Sequence, residues 1–152
     1  MNKASQKYWN DFWSARGKEK PPSVTAWQFG AVPDELAQLV VDGVKTATCS
    51  GLIFYELENE PLPAVDDYSI ILNSNEEPVA IIRTSQVDQM PMNEVPEEFA
   101  IAEGEGDRTY RYWKEAHECF FRKELSEVGL AYTEDMMLVC ERFELVDVKN
   151  KL

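Results

Sequence analysis

The residues best placed to do chemistry begin at Gly43-Val44-Lys45-Thr46-Ala47-Thr48-Cys49-Ser50. A lysine, and a hydroxyl residue three positions on, follow a glycine placed to end a helix; the approach through Leu36, Ala37, Leu39, Val40 and Val41 is apolar. A lysine partly removed from water has a lowered pKa and can act as a base. A threonine hydroxyl within its reach can then attack a carbonyl, because near neutral pH a hydroxyl needs an adjacent base. The same stretch also reads more plainly, with Lys45 neutralising a helix dipole and Thr48 chosen for strand propensity.

A carboxylate for this pair comes much later, from Glu103-Gly104-Glu105-Gly106-Asp107. Glycines on both sides of Glu105 allow tight turns and the close approach of a ligand. A carboxylate here could orient Lys45 or, with its pKa raised by burial, protonate a leaving amine. The plain alternative is a solvated acidic loop, and calcium-loop spacing is lacking. His117, the single histidine, falls among Trp113, Phe120 and Phe121 and reads first as a hydrogen-bonded packing residue. With no other His or Cys at ligand spacing, neither a metal nor a cofactor is expected. Trp27 and Phe29 could stack a base, core packing being at least an equal reading for Phe29.

The elements that must hold these residues follow from periodicity. Residues 3–16 read as a helix whose Tyr8, Trp9, Phe12 and Trp13 form one aromatic stripe. The stripe clamps the helix to the body of the protein or, alternatively, makes a homodimer contact. Residues 17–23 are a linker and 25–29 a short strand. A helix starts at Pro33, with Asp34 and Glu35 in its first turn, and runs to about Asp42, where Gly43 stops it. Residues 46–52 read as strand or extended loop, 55–67 as a surface loop with Pro61 and Pro63, and 68–72 and 78–87 as a hairpin around Asn73-Ser74-Asn75. A helix over 93–102, a long helix over 109–128 ended by Gly129, and a final strand over 136–148 complete the chain. The imperfect alternation of that strand predicts a bulge.

The totals set limits. A chain of 152 residues is one domain, with 44% apolar and 28% charged residues. No apolar run approaches the length of about 18 residues that a membrane span needs, and residues 1–16 lack a signal peptide's apolar core. Three cysteines without ligand spacing point to free thiols in a reducing cytoplasm. A net charge of −13 disfavours long polyanions, whose binding draws on many phosphate contacts.

Four pieces in order resemble the ASCH-domain family, in its longer bacterial branch. They are Trp27-Gln28-Phe29-Gly30; Gly43-x-Lys45-Thr46-Ala47-Thr48; Glu97-Glu98-Phe99-Ala100-x-x-Glu103-Gly104-Glu105-Gly106-Asp107; and Trp113-x-x-x-His117-x-x-Phe120-Phe121. The resemblance implies an α+β fold, a PUA-like mixed beta-barrel with flanking helices. Residues 1–152 would be a single ASCH domain, with 1–22 an N-terminal aromatic helix and linker and 23–148 the barrel core. Small relatives remove the acetyl group from N(4)-acetylcytidine. The resemblance thus implies an amidohydrolase with Lys45, Thr48 and Glu103 catalytic, Glu105 being the alternative register for the glutamate. Trp27, Phe29, Glu105, His117 and Arg83 are the expected substrate contacts and a small nucleoside-like molecule the expected substrate. The alternatives are an RNA-binding module without catalysis, using a groove of Arg83, Arg108, Arg111 and Arg142, or a ribonuclease. Two positions depart from the family pattern: Ser50 stands where an arginine is frequent, and Asp66 where the barrel turn has a glycine.

Overall fold

The structure, a computed structural model, describes residues 1–149. Helix α1 (Lys3–Arg16) is capped by the Asn2 side chain, which accepts from the Ser5 amide, and ends at Gly17 in the left-handed region. Strand β1 (Thr25–Gln28) leads to α2 (Pro33–Val41), and β2 (Ala47–Gly51) to α3 (Leu52–Glu58). Strands β3 (Tyr68–Leu72) and β4 (Pro78–Pro91) form the expected hairpin, and α4 (Glu97–Glu103), α5 (Tyr110–Glu127) and β5 (Met137–Val148) follow.

The five strands make one mixed sheet in the order β1-β3-β4-β5-β2, with β1 parallel to β3 and the other pairs antiparallel. The long β4–β5 ribbon shifts register at Ile81/Ile82 and again at Thr84/Gln86. Such shifts bend a strand and increase its twist, and the sheet here is curled into a half-barrel. The fold is α+β, as the sequence implied, and the predicted bulge is present.

Neighbouring residues of β3 and β4 point to opposite faces, and helices cover both. Ile70, Leu72 and Ile81 pack under Tyr8, Trp9, Phe12 and Trp13 of α1. Ile71, Ala80 and Ile82 pack with Phe143 against Leu36, Ala37 and Val40 of α2. This two-sided burial explains the unbroken run Ile70-Ile71-Leu72, since a strand covered on both faces does not alternate with polar residues. A third cluster joins Ala47, Leu138 and Cys140 to Phe99 and Ala100 of α4 and to Trp113, Phe121 and Leu125 of α5. The aromatic stripe of α1 is therefore seated on the chain's own sheet. Among the described residues no helix is long and apolar enough to cross a membrane.

Three boundaries differ from the sequence expectation. The predicted loop over 55–67 begins as helix α3, which runs to Glu58 before Asn59 ends it in the left-handed region. Ile53 and Phe54 hold that helix by packing on the third cluster, a tertiary contact that local composition does not reveal. The helix expected over 93–102 is divided: Met92–Glu94 form a 3-10 turn, and Pro96 caps the start of α4. A proline keeps the residue before it out of helical conformation. Strand β4 also runs on to Pro91, beyond the expected end at Val87.

Trp9 is 2% exposed and the most buried ring of its stripe. Trp9→Ala is expected to lower stability in urea unfolding by about 3–5 kcal/mol, the usual loss for a fully buried large aromatic; a loss below about 1 kcal/mol would show that α1 is not integral to the core.

Candidate active site

Two helix C-termini meet to make the site. At the end of α2, Gly43 takes φ of 74°, and the amides of Val44 and Lys45 both donate to the Leu39 carbonyl, at 2.9 and 3.0 Å. This turn directs Lys45 inward, where it is 2% exposed. At the end of α4, Gly104 takes φ of 71°. A Cβ on Gly104 would lie 2.5 Å from the Val44 carbonyl oxygen, so the two turns pack back to back through a position only glycine fits. The Thr46 amide and hydroxyl both donate to the Ala102 carbonyl, at 2.8 and 3.2 Å, tying the start of β2 to the same helix end.

Within this junction the Lys45 ammonium donates to Glu103 Oε1 at 3.2 Å, to Glu105 Oε2 at 3.0 Å and, at 3.4 Å, to the Glu103 carbonyl. Glu103 is fully buried, whereas Glu105 keeps 19% of its side chain exposed. The other oxygen of Glu103, Oε2, accepts from the Trp113 indole and faces His117 Nε2 at 3.4 Å. His117 stacks on Trp113 with ring centres 4.6 Å apart, and its Nδ1 donates to the Trp113 carbonyl at 2.8 Å. A carbonyl only accepts, so Nδ1 carries a proton. With Nε2 facing a carboxylate, the arrangement favours the doubly protonated imidazolium. Two cations, Lys45 and His117, thus face two carboxylates, Glu103 and Glu105.

This balance decides the protonation states. Burial on its own would lower the Lys45 pKa, but the charges of Glu103 and Glu105 outweigh it and the pKa is raised. Burial likewise opposes Glu103 ionisation, yet Lys45, then His117, hold its carboxyl below the usual range. His117 is raised because its hydrogen bond to Glu103 and that residue's charge overcome desolvation. Both pKa directions expected from the sequence are reversed: Lys45 rests as an ammonium and Glu103 as a carboxylate. Desolvation is legible in the sequence, but the opposing partner charges arrive only with the fold.

Lys45, Glu103, Glu105 and His117 are therefore joined in one network. Phe29 lies at its edge, buried, with Lys45 Nζ 5.3 Å from its ring centre, and Trp27 meets Phe29 edge-on at 4.8 Å while remaining half-buried. Thr48 is paired with Glu141 across the β2–β5 ladder, and its hydroxyl makes no hydrogen bond among the described residues. Alternation along β2 puts Thr48 and Cys49 on opposite faces, and Cys49 is the one near Glu103 and His117. Arg83 is remote from the network, paired instead with Glu144 and Asp66. Ser50, at the position where the family pattern has an arginine, shares a hydrogen bond with Tyr55 at 2.8 Å.

Sequence reasoning missed two members of the site. The sequence shows Trp113 only as an aromatic neighbour of His117, yet its spacing of four puts both on one helix face above Glu103. Cys49 was noted only as a free thiol, although it lies two residues beyond buried Ala47 on the same side of β2.

A family model for the ASCH domain matches residues 25–147. Among solved structures, the chain is similar to an ASCH domain from Lactobacillus crispatus JV V101, at 34% identity and a TM-score of 0.89, with 95% of each chain covered. It is similar also to a protein from Enterococcus faecalis V583, at 44% identity and a TM-score of 0.86, covering 97% of this chain and 91% of that one. An ASCH variant from Zymomonas mobilis shares the fold alone, at 15% identity and a TM-score of 0.50 over 84% of this chain and 73% of that one. Comparison with curated protein sequences found no match.

Two outcomes test the site's construction. Gly104→Ala forces a left-handed φ on alanine and a Cβ onto Val44, and is expected to destabilise by about 1–3 kcal/mol in denaturant unfolding. The pH dependence of His117 has a fixed sign, because its folded pKa is raised above the unfolded value of about 6.5. Its contribution is complete below that value and is lost as pH rises through the folded pKa. The stability gap between wild type and His117→Gln, followed by urea unfolding, should therefore be widest in weak acid and narrow on the alkaline side; a gap that widens there would contradict the imidazolium.

Proposed function

The chain belongs to the ASCH-domain family, and on that premise we propose that it is an amidohydrolase acting on an acylated nucleoside of the N(4)-acetylcytidine kind, or on a similar small amide. The observation that carries this reading is the buried Lys45–Glu103 pair. Charges taken out of water cost several kcal/mol each, and apolar residues of the same volume commonly do as well for stability, so such a cluster beside a sheet edge points to chemistry.

The resting protonation states set the order of events. Lys45 holds the proton, and its carboxylate acceptors are Glu105 at 3.0 Å and the fully buried Glu103 at 3.2 Å. In the proposed reaction that proton passes to Glu103 when bound substrate excludes water, leaving Lys45 as the free amine. The amine takes a proton from the one water retained beside it, and that water's oxygen attacks the acyl carbonyl; Thr48, on the opposite face of β2 from the network, is not the nucleophile. Glu103, now a carboxylic acid, returns its proton to the departing exocyclic amine, and the C–N bond breaks. The acid leaves carrying the attacking oxygen, and Lys45 and Glu103 are back in their resting protonation states. His117 and Trp113 hold Glu103 Oε2 so that Oε1 remains aimed at Lys45. Half-buried Trp27 offers a face for the base, and Phe29 closes the floor beside the ammonium.

The surface favours a small substrate over a polyanion. Three of the four arginines proposed for an RNA groove already carry carboxylate partners: Arg83 with Glu144 and Asp66, Arg111 with Glu115, and Arg142 with Glu98. Net charge of −13 adds to this argument.

The test is turnover of N(4)-acetylcytidine to cytidine and acetate, followed by mass spectrometry. Lys45→Ala and Glu103→Gln are each expected to lower kcat by at least about 100-fold, the scale of a lost acid or base, whereas Thr48→Ala should lower it far less. Intact substrate with the wild type, or undiminished rates in both Lys45→Ala and Glu103→Gln, would reject this reading. Cleavage of labelled RNA in a parallel incubation would replace it with the ribonuclease reading.

A further inference from the structure

Three donor types from three separate elements converge beneath Lys45. The Cys49 sulfur from β2, a carboxylate oxygen of Glu103 from α4 and a ring nitrogen of His117 from α5 all lie within 4.8 Å of one another. We propose that these three side chains form a binding site for a thiophilic divalent cation, with Zn2+ the best match to a sulfur, oxygen and nitrogen set.

The orientation of each donor argues for a ligand set over a chance meeting. His117 Nδ1 donates to the Trp113 carbonyl at 2.8 Å, which fixes the ring and presents Nε2 inward. An imidazole held through one nitrogen by a backbone carbonyl is the usual second layer behind a metal-bound histidine. Glu103 is held as well, with Oε1 on Lys45 and Oε2 accepting from the Trp113 indole, and the second lone pair of Oε2, which faces His117, is the one a metal would take. Tetrahedral zinc sets its donors roughly 3.5 Å apart, which leaves roughly 1 Å to close at the widest pair. Three protein ligands leave a fourth position for water or another small ligand.

The charges permit the exchange despite the neighbouring ammonium. Without bound metal, the cations Lys45 and His117 face the carboxylates Glu103 and Glu105. Zn2+ would bond to the Cys49 thiolate, the Glu103 carboxylate and neutral His117, and the thiol proton and the imidazolium proton would go to solvent. One dication thus replaces two protons, and the net charge of the cluster is unchanged. No motif spacing announces such a site, because residues 49, 103 and 117 meet only through the fold. The proposal stands independently of the amide-hydrolysis reading, since it is tested by binding alone.

The experiment titrates the metal-free protein with Co2+ and follows absorbance. The expected result is one Co2+ per chain, with visible bands of tetrahedral intensity, a thiolate-to-cobalt band in the near ultraviolet, and displacement by Zn2+. Cys49→Ser should lose the thiolate band, whereas Cys119→Ser, which alters an exposed cysteine, should keep it. His117→Gln leaves every thiol in place and should weaken Co2+ binding by at least about 10-fold, as even loss of an outer-layer partner does. Circular dichroism on each variant separates loss of a ligand from loss of the fold; if Cys49→Ser does not fold, His117→Gln decides. Absence of stoichiometric binding by the wild type, a thiolate band that survives in folded Cys49→Ser, one that vanishes in Cys119→Ser, or unchanged affinity in His117→Gln would each overturn the proposal.

Discussion

A lysine that is buried must take its counter-charge with it, and the middle of this protein is arranged around that requirement. Lys45 is 2% exposed and Glu103 is 1% exposed, and the two residues are far apart in sequence. Bringing them together takes the end of α2, the end of α4 and the start of β2, all within hydrogen-bond reach of one another. The second oxygen of Glu103 then needs partners of its own, which sets the place of α5 through Trp113 and His117. Removing one member would leave an uncompensated charge in a low dielectric, so the four residues stand or fall as a group.

The sheet provides the frame in which that group can exist. One stretch of β3–β4 is covered by α1 on one face and by α2 on the other, while the β2–β5 end is covered by α4 and α5. The register shifts in β4–β5 curl the sheet between these two regimes. The charged network sits at the changeover, against the rim of the apolar core and beside Phe29 from the opposite sheet edge. Full burial on either side would have left no solvent path, whereas Glu105 and Cys49 keep part of their surface open.

Much of this was legible in the sequence, for identifiable reasons. Helix stripes, the Asn73 turn and the stop at Gly43 are local signals, and each was read correctly. The approach of Lys45 to the glutamates was legible through the ordered family pieces, whereas the residues alone favour a plain capped helix end. What could not be read depends on distant partners. The pKa directions of Lys45 and Glu103 are set by each other's charge, not by burial alone. The presence of Cys49 rather than Thr48 beside Glu103 depends on the register of one short strand, where a slip of one residue exchanges the faces. Helix α3 depends on Ile53 and Phe54 finding the third cluster.

The seat of α1 has a consequence for how the protein is made. Its aromatic stripe rests on Ile70, Leu72 and Ile81, and its Tyr8 hydroxyl donates to Asp147 in the last strand at 2.7 Å. In synthesis, Tyr8, Trp9, Phe12 and Trp13 precede the strands that cover them, and Asp147 follows Tyr8 by 139 residues. Long-range pairing of this kind is slow to form, since a large loop must close before any contact rewards it. The four aromatic rings therefore stay uncovered until β3 and β4 have followed, so the sheet under α1 closes a long-range contact late in folding.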